Sequence, residues 1–175
     1  MKWTFKAGSL LDEPADVLIC SANPHLTLSG GVGADLLARC GSALQEPLTE
    51  AVRSRTPHFF KQGEIFVQPA PQTPYRAIIH AVAIDGWYES SPLVIERIVV
   101  DALAAAAGLQ ATRVALAALA TGFGRLTLAQ FADGIRPLLS REFPPIESVC
   151  IALLEDWRAR ELGQLLGIGS DQMQA

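Results

Sequence analysis

The chain has 175 residues, half of them hydrophobic and only 18% charged, with a formal net charge of −4. That length suits one domain with a sizeable core, and the composition excludes a disordered chain. No run of Lys or Arg occurs, so the linear sequence carries no basic footprint for nucleic acid or an anionic membrane.

Trp3 to Ala7 reads as an edge strand and Asp16 to Cys20 as a buried one. A first glycine-bearing turn follows, Ser21-Ala22-Asn23 to Ser29-Gly30-Gly31-Val32-Gly33. Leu36, Leu37 and Cys40 then recur at helical spacing, with Gly41 placed as a C-terminal cap. Ser42 and Gln45 have capping-box spacing for a second helix carrying Leu48, Ala51 and Val52. Pro47 lacks an N–H and moves the expected start toward Glu46.

Gly63 to Gln68 and Ala77 to Val82 read as strands joined by the Pro-rich loop Pro69 to Pro74. After Ser90 or Ser91, an apolar helical face runs through Ile95, Ile98, Val99, Ala102, Leu103 and Ala106, and Gly108 can end it. A strand from Arg113 to Leu119 leads to a second glycine turn, Ala120-Thr121-Gly122-Phe123-Gly124. A helix through Leu128, Phe131, Ala132, Ile135, Leu138 and Leu139 is expected to kink or stop at Pro137. Ser148 to Leu154 is the last strand, before a helix bearing Leu162, Leu165 and Leu166. Strands alternate with helices, which predicts an α/β sheet covered on both faces, with ligands beyond the strands' carboxyl ends.

Cys20, Cys40 and Cys150 lie in apolar sequence without CxxC spacing and read as small buried hydrophobes. No metal site is expected, because His25, His58 and His80 lack ligand spacing. His80, inside an apolar strand, reads as a hydrogen-bonded core histidine rather than a base. The N-terminus lacks a signal-like stretch, and Glu96, Arg97 and Asp101 interrupt the longest apolar-rich span. A cytoplasmic protein without a membrane partner is expected.

Each glycine turn follows a strand and precedes a helix, where outward N–H groups and the helix dipole favour an anion. Two such turns in one small domain suggest a ligand with more than one phosphate. Asn23 can offer a donor and an acceptor to a sugar hydroxyl, or can simply start a turn with Pro24. Phe123, between two glycines, can lie against a sugar or base, or plug the sheet end. Asp35 reads as an acidic complement to a helix N-terminus starting after Gly33. Glu64, Glu155 and Asp156 read as solvated edge charges.

In order and spacing these pieces resemble the macrodomain family, the ADP-ribose-binding module, over most of the chain. Val17 to Asn23 is similar to the family strand ending in Ala-Asn, and Gly30-Gly31-Val32 to its first phosphate loop. Gly63-Glu64 and Ile78 to Val82 resemble two further family strands, and Thr121-Gly122-Phe123-Gly124 its second phosphate loop. The resemblance implies a three-layer α/β/α sandwich with a mixed, mostly parallel central sheet. One domain would cover residues 1–169, with a frayed tail over 170–175.

It also implies roles. Asn23, beside Ala22, would contact the distal ribose, and is the one candidate for a catalytic part, by positioning that sugar. Gly30, Gly31 and Val32 would contact the diphosphate and that ribose, with Gly33 counted among the binding residues. Thr121, Gly122, Phe123 and Gly124 would wrap the diphosphate, with Phe123 beside the distal ribose. Adenine would lie near Ser9 and Leu10 at the end of the first strand, with Trp157 as a stacking candidate. Ser9 stands where many members have an adenine-binding Asp, and is expected to accept one hydrogen bond. Gly33 stands where many hydrolytic members have an Asp.

The implied function is binding of ADP-ribose or of a mono-ADP-ribosylated protein, with no cofactor. The first alternative is hydrolysis: release of mono-ADP-ribose from protein, or processing of ADP-ribose-1''-phosphate or O-acetyl-ADP-ribose. An NAD(P)-dependent oxidoreductase is a rival from another class. Gly122-Phe123-Gly124 begins like GxGxxG, but Thr127 stands where the last glycine belongs. A third alternative is an inactive scaffold.

Overall fold

The computed structural model describes residues 1–168 and the two-residue strand Met173–Gln174. The elements in chain order are β1 (Lys2–Ala7), β2 (Val17–Ala22), α1 (Gly31–Cys40), α2 (Gln45–Arg53), β3 (Ile65–Pro69), β4 (Ala77–Val82), α3 (Pro92–Gly108), β5 (Arg113–Leu116), α4 (Leu128–Ile135), β6 (Ser148–Leu153), α5 (Asp156–Leu165) and β7 (Met173–Gln174). Of the tail expected to fray, residues 170–172 and 175 lie outside the described residues, and Met173–Gln174 run beside Phe5 and Lys6 of β1.

One sheet in the order β3-β4-β2-β5-β6-β1-β7 organises the chain. Among the described residues only the β3–β4 pair is antiparallel; the other pairs are parallel. The sheet is therefore mixed and mostly parallel. Every residue of β4 is buried, as are the first four of β2, so helices cover both faces, as continuous apolar runs require. On one side α3 packs on α4 and α4 on α5, while α1 packs on β2. The result is a three-layer α/β/α sandwich.

The helix ends follow local chemistry. Ser91 caps α3, its hydroxyl accepting from the Val94 amide at 3.3 Å, and Pro92 fills the first helical position, where no N–H is needed. Thr127 and Gln130 form a reciprocal capping box on α4, which ends at Ile135 ahead of Pro137 and continues as a 3-10 turn. Gly41 ends α1 at φ 89°, donating to the Leu37 carbonyl.

Four expectations need correcting. β1 is not an edge strand, because β6 and β7 flank it and Trp3, Thr4 and Phe5 are buried. β5 stops at Leu116 rather than Leu119, and the chain then turns into the second glycine loop. α2 begins at Gln45, with Pro47 in its first turn where a missing amide costs nothing. Ser42 and Gln45 form no capping box; Gln45 reaches away to the loop after β2.

His80 is fully buried on β4, as its apolar surroundings implied. Its Nε2 lies 2.8 Å from Gln68 Oε1, an acceptor only, so Nε2 carries the proton. Nδ1, 3.4 Å from Cys20 Sγ, then accepts from the thiol. Burial pushes the His80 pKa down from 6.5 to about 4 and holds the Cys20 thiol at about 12.

The folded-state value of His80 lies below its unfolded value. Its contribution is therefore complete above pH 6.5 and drains as pH falls toward about 4, where the unfolded chain alone binds the proton. Acidification through that window is expected to cost up to about 3 kcal/mol from this residue. Urea unfolding of the native protein and His80→Asn at both ends of the window checks this. The native protein should show the steeper loss, and equal slopes would refute it.

Candidate functional site

The parallel strands β2, β5, β6 and β1 all end on one side of the sheet, and the loops leaving them line a cleft of about 410 Å³. β2 and β5 are neighbours in the sheet. Their two glycine loops thus meet across the middle of the cleft, the usual ligand crevice of such sheets.

After β2, Asn23 folds the chain back on itself. Its Oδ1 accepts from the amides of His25 (3.0 Å) and Thr27 (3.2 Å), and its Nδ2 donates to the Thr27 carbonyl at 2.9 Å. One Nδ2 hydrogen is left over to meet a ligand. Gln45 holds the far side of the loop, accepting from the Leu28 amide (2.8 Å) and donating to the Leu26 carbonyl (3.1 Å). Gly30 caps α1 without a side-chain bond, and Gly31 takes φ 51°, a conformation that disfavours L side chains. The amides of Gly31 and Val32 have no acceptor among the described residues.

The second loop is held by its own contacts. The Ala120 amide donates to Ser21 Oγ at 3.3 Å, and the Thr121 hydroxyl to the Ala118 carbonyl at 2.8 Å. The Arg125 amide donates to the Tyr88 carbonyl at 2.9 Å. Between them, the amides of Gly122, Phe123 and Gly124 have no acceptor among the described residues. Gly124 is needed because a Cβ there would strike the Ala120 carbonyl group, whose carbon would lie 2.9 Å away.

Phe123 joins the loops. A Cβ on Gly30 would meet the Phe123 ring, with Cδ2 and Cζ each at 3.0 Å. The ring thus lies directly on the Gly30 backbone while 75% of its surface stays exposed. Phe123 is no buried plug.

Arg158, in the first turn of α5, supplies the cation of the cleft. Its Nη2 donates to the Thr121 carbonyl (3.3 Å) and to Thr121 Oγ1 (3.2 Å), and Glu155 Oε2 is 3.9 Å from Nη1. Five amides without acceptors among the described residues, the N-terminus of α1 and this guanidinium supply the donors of the cleft, with Asp35 and Glu155 as its carboxylates.

At the other end, Gly8, Ser9, Leu10 and Leu11 face Ala152, Leu153 and Leu154. Ser9 Oγ accepts from the Leu11 amide (3.3 Å) and from Arg39 Nη2 (3.1 Å), while Arg39 also pairs with Asp12. Both hydroxyl lone pairs are occupied, so Ser9 can donate to a ligand rather than accept from one, contrary to the expectation.

The cleft brings together Ser9, Leu10, Ala22, Asn23, Gly30, Gly31, Val32, Gly33, Thr121, Gly122, Phe123 and Gly124. Gly33 lies in its buried floor, where a Cβ would meet Leu28 at 3.2 Å. Trp157 is 64% exposed and is not among the lining residues; Leu154, Glu155 and Arg158 are. Asp35 also lines the cleft, but α1 starts at Gly31, so Asp35 lies beyond its first turn and does not complement the helix start. Arg158, Tyr88 and the Gln45 brace were not singled out from sequence; a polar side chain becomes a site residue there only through tertiary contact. Among the described residues no group of three His, Cys, Asp or Glu is placed to hold a metal, and no helix is long and apolar enough to cross a membrane.

Comparison with known proteins gives the fold and the family. An uncharacterized protein of Pyrobaculum aerophilum is 27% identical over 142 residues, covering 81% of this chain and 76% of the relative. The Oceanobacillus iheyensis macrodomain with ADP superposes with a TM-score of 0.81 at 18% identity, over 92% of this chain and 87% of that one. The Trypanosoma brucei macrodomain in complex with ADP-ribose gives a TM-score of 0.77 at 18% identity, over 94% and 69%. The sequence model of the Macro domain matches residues 19–134, which carry both glycine loops, most of β2 and the whole of β3, β4 and β5. The chain belongs to the Macro domain family.

Proposed function

We propose that this protein binds ADP-ribose or a terminal ADP-ribosyl group in the cleft between the two glycine loops. The observation that carries the reading is the set of unsatisfied amides at Gly31, Val32, Gly122, Phe123 and Gly124, all lining one cleft. A diphosphate supplies the acceptors those donors lack, and two loops match its two phosphates. The fold likeness to macrodomains solved with ADP and ADP-ribose supports the same ligand class.

The remaining parts of the ligand follow from the cleft's ends. Adenine lies between Ser9–Leu10 and Leu153–Leu154, where the Ser9 hydroxyl donates to a ring nitrogen. The distal ribose lies by Asn23, whose spare Nδ2 hydrogen reaches a hydroxyl, with the Phe123 ring alongside. Arg158 neutralises the diphosphate from the α5 side.

Binding without turnover is the reading the side chains favour. No His, Cys or Lys lines the cleft. Its carboxylates are Asp35, exposed on α1, and Glu155, close to Arg158. Among the described residues neither carboxylate is hydrogen-bonded to Asn23 or to a hydroxyl of the lining, so no paired base and nucleophile stands there. Isothermal titration with ADP-ribose, paired with product analysis on mono-ADP-ribosylated protein, tests both halves. Binding with no release above background is expected. Release at enzymatic rates would establish the hydrolase alternative, and no heat at millimolar ligand would establish the scaffold.

Arg158→Ala is expected to weaken ADP-ribose about tenfold, the scale of one charge-assisted contact. The loss should shrink at high salt. An unchanged dissociation constant would place the diphosphate away from α5.

A further inference from the structure

A second hollow of about 680 Å³ opens beside the cleft and shares Asn23, Thr27, Ser29, Ile84 and Tyr88 with it. Its outer walls carry three exposed aromatic side chains, Phe59 (40% exposed), Trp87 (75%) and Tyr88 (52%). Aromatic rings gathered on one concave surface are unusual for a soluble chain and mark a binding site.

The rings stand on a braced platform. Asp85 Oδ1 accepts from the amides of Trp87 and Glu89, each at 2.9 Å, and the Asp85 amide donates to the Glu89 carbonyl at 3.1 Å. Gln62 Nε2 donates to the Glu89 carbonyl (2.8 Å) and the Ala83 carbonyl (3.3 Å). Tyr88 is held at φ 65°, its carbonyl bonded to the Arg125 amide just past the second glycine loop. Opposite, Phe60 is buried edge-on against Phe66 beneath the Arg55 guanidinium, and its amide donates to the Pro24 carbonyl at 2.8 Å. That anchor leaves Phe59 as the displayed ring.

We propose that this hollow is an acceptor subsite, taking a planar heteroaromatic ring joined to C1 of the distal ribose. The inference rests on the ADP-ribose reading, which puts that ribose at Asn23, where the two hollows join. The ionisable residues lining the hollow are His25, Lys61, Asp85 and Tyr88, a mixed set with no row of cations to track a phosphate backbone. One stacked ring therefore fits better than a strand of nucleic acid. Stacking on Trp, Tyr or Phe serves any flat heterocycle, and a pyridinium gains cation–π attraction as well.

Two sources share this chemistry: the nicotinamide ring of NAD⁺, and a nucleobase carrying ADP-ribose. The test titrates full-length native protein, Trp87→Ala and Phe59→Ala with four probes. These are ADP-ribose, NAD⁺, an ADP-ribosylated pyrimidine nucleoside, and a peptide ADP-ribosylated on serine. Trp87 is mostly exposed, so its truncation leaves the core intact, and ADP-ribose affinity serves as the check on folding.

The expected result is a loss of at least about fivefold for one or both ring-bearing probes in the variants. ADP-ribose and the serine-linked probe should stay within about twofold. The ring probe that loses affinity identifies the source. Equal losses for all probes, or none for either ring probe, would overturn the subsite. Failure of native protein to bind ADP-ribose would overturn the parent reading instead, and this one with it.

Discussion

Gly124→Ala is expected to abolish ADP-ribose binding, with affinity falling at least about 100-fold, while the sheet stays folded. The added methyl would strike the Ala120 carbonyl group, whose carbon and Cα would lie at 2.9 and 3.0 Å. Neither is the tip of a flexible side chain. Ala120 already holds φ 62°, and its amide is bonded to Ser21. Relief must therefore come from the loop itself, and any shift turns the amides of Gly122, Phe123 and Gly124 off a common target. Preorganised donors lose most of their worth when misaimed, since each weakens steeply away from linear geometry. The stability cost should be about 1–3 kcal/mol, the range for inserting a methyl into a tight space. Calorimetric titration and thermal unfolding read the two effects separately. Full-strength binding by Gly124→Ala would mean that the second loop holds no phosphate.

Gly31→Glu is the second large effect, again with a loss of at least about 100-fold. Its mechanism differs. A Cβ at Gly31 meets nothing within 4 Å, so packing does not forbid a side chain. Two other terms do. The φ of 51° strains any L residue by about 1–2 kcal/mol. The new carboxylate would stand at the mouth of the cleft, beside the position proposed for the diphosphate, where like charges repel strongly in a partly desolvated site. Gly31→Ala carries the strain without the charge and separates the two. It should weaken ADP-ribose by about tenfold or less, as far as the free loop relaxes that strain by leaving the binding conformation. Near-equal losses in the two variants would assign the effect to backbone geometry, and native affinity in Gly31→Glu would move the site elsewhere.

These predictions depend on residues whose roles were partly legible in sequence. The strand–glycine–helix pattern at Ser21–Gly33 and at Ala120–Thr127 marked both loops, because each change of period and each glycine is a local signal. The strands β2, β3, β4 and β6 and the capped start of α3 were legible for the same reason. What local pattern could not supply was convergence. Gln45 looked like half of a capping box, yet it braces the first loop from 17 and 19 residues away. Arg158 lies 37 residues from Thr121 and meets it only because β6 runs beside β5. Asp35 was placed at a helix start because Gly30 offers no side-chain cap to mark the true one. Ser9 looked like a free acceptor until the fold brought Arg39 to it. The aromatic platform at Phe59, Trp87 and Tyr88 joins two loops far apart in the chain, so no spacing rule announces it.

The His80 network and the glycine loops also divide the molecule's work. His80, Gln68 and Cys20 satisfy one another inside the sheet, and none of them lines the cleft. Acid sensitivity of folding and affinity for ligand should therefore vary independently. His80→Asn should bind ADP-ribose like the native protein near neutral pH.

The most direct measurement is a crystal structure grown with excess ADP-ribose. The expected density places one phosphate on the amides of Gly31 and Val32 and the other on those of Gly122, Phe123 and Gly124, with Arg158 beside them. A diphosphate bound anywhere else, or a cleft left empty at saturating ligand, would contradict the account.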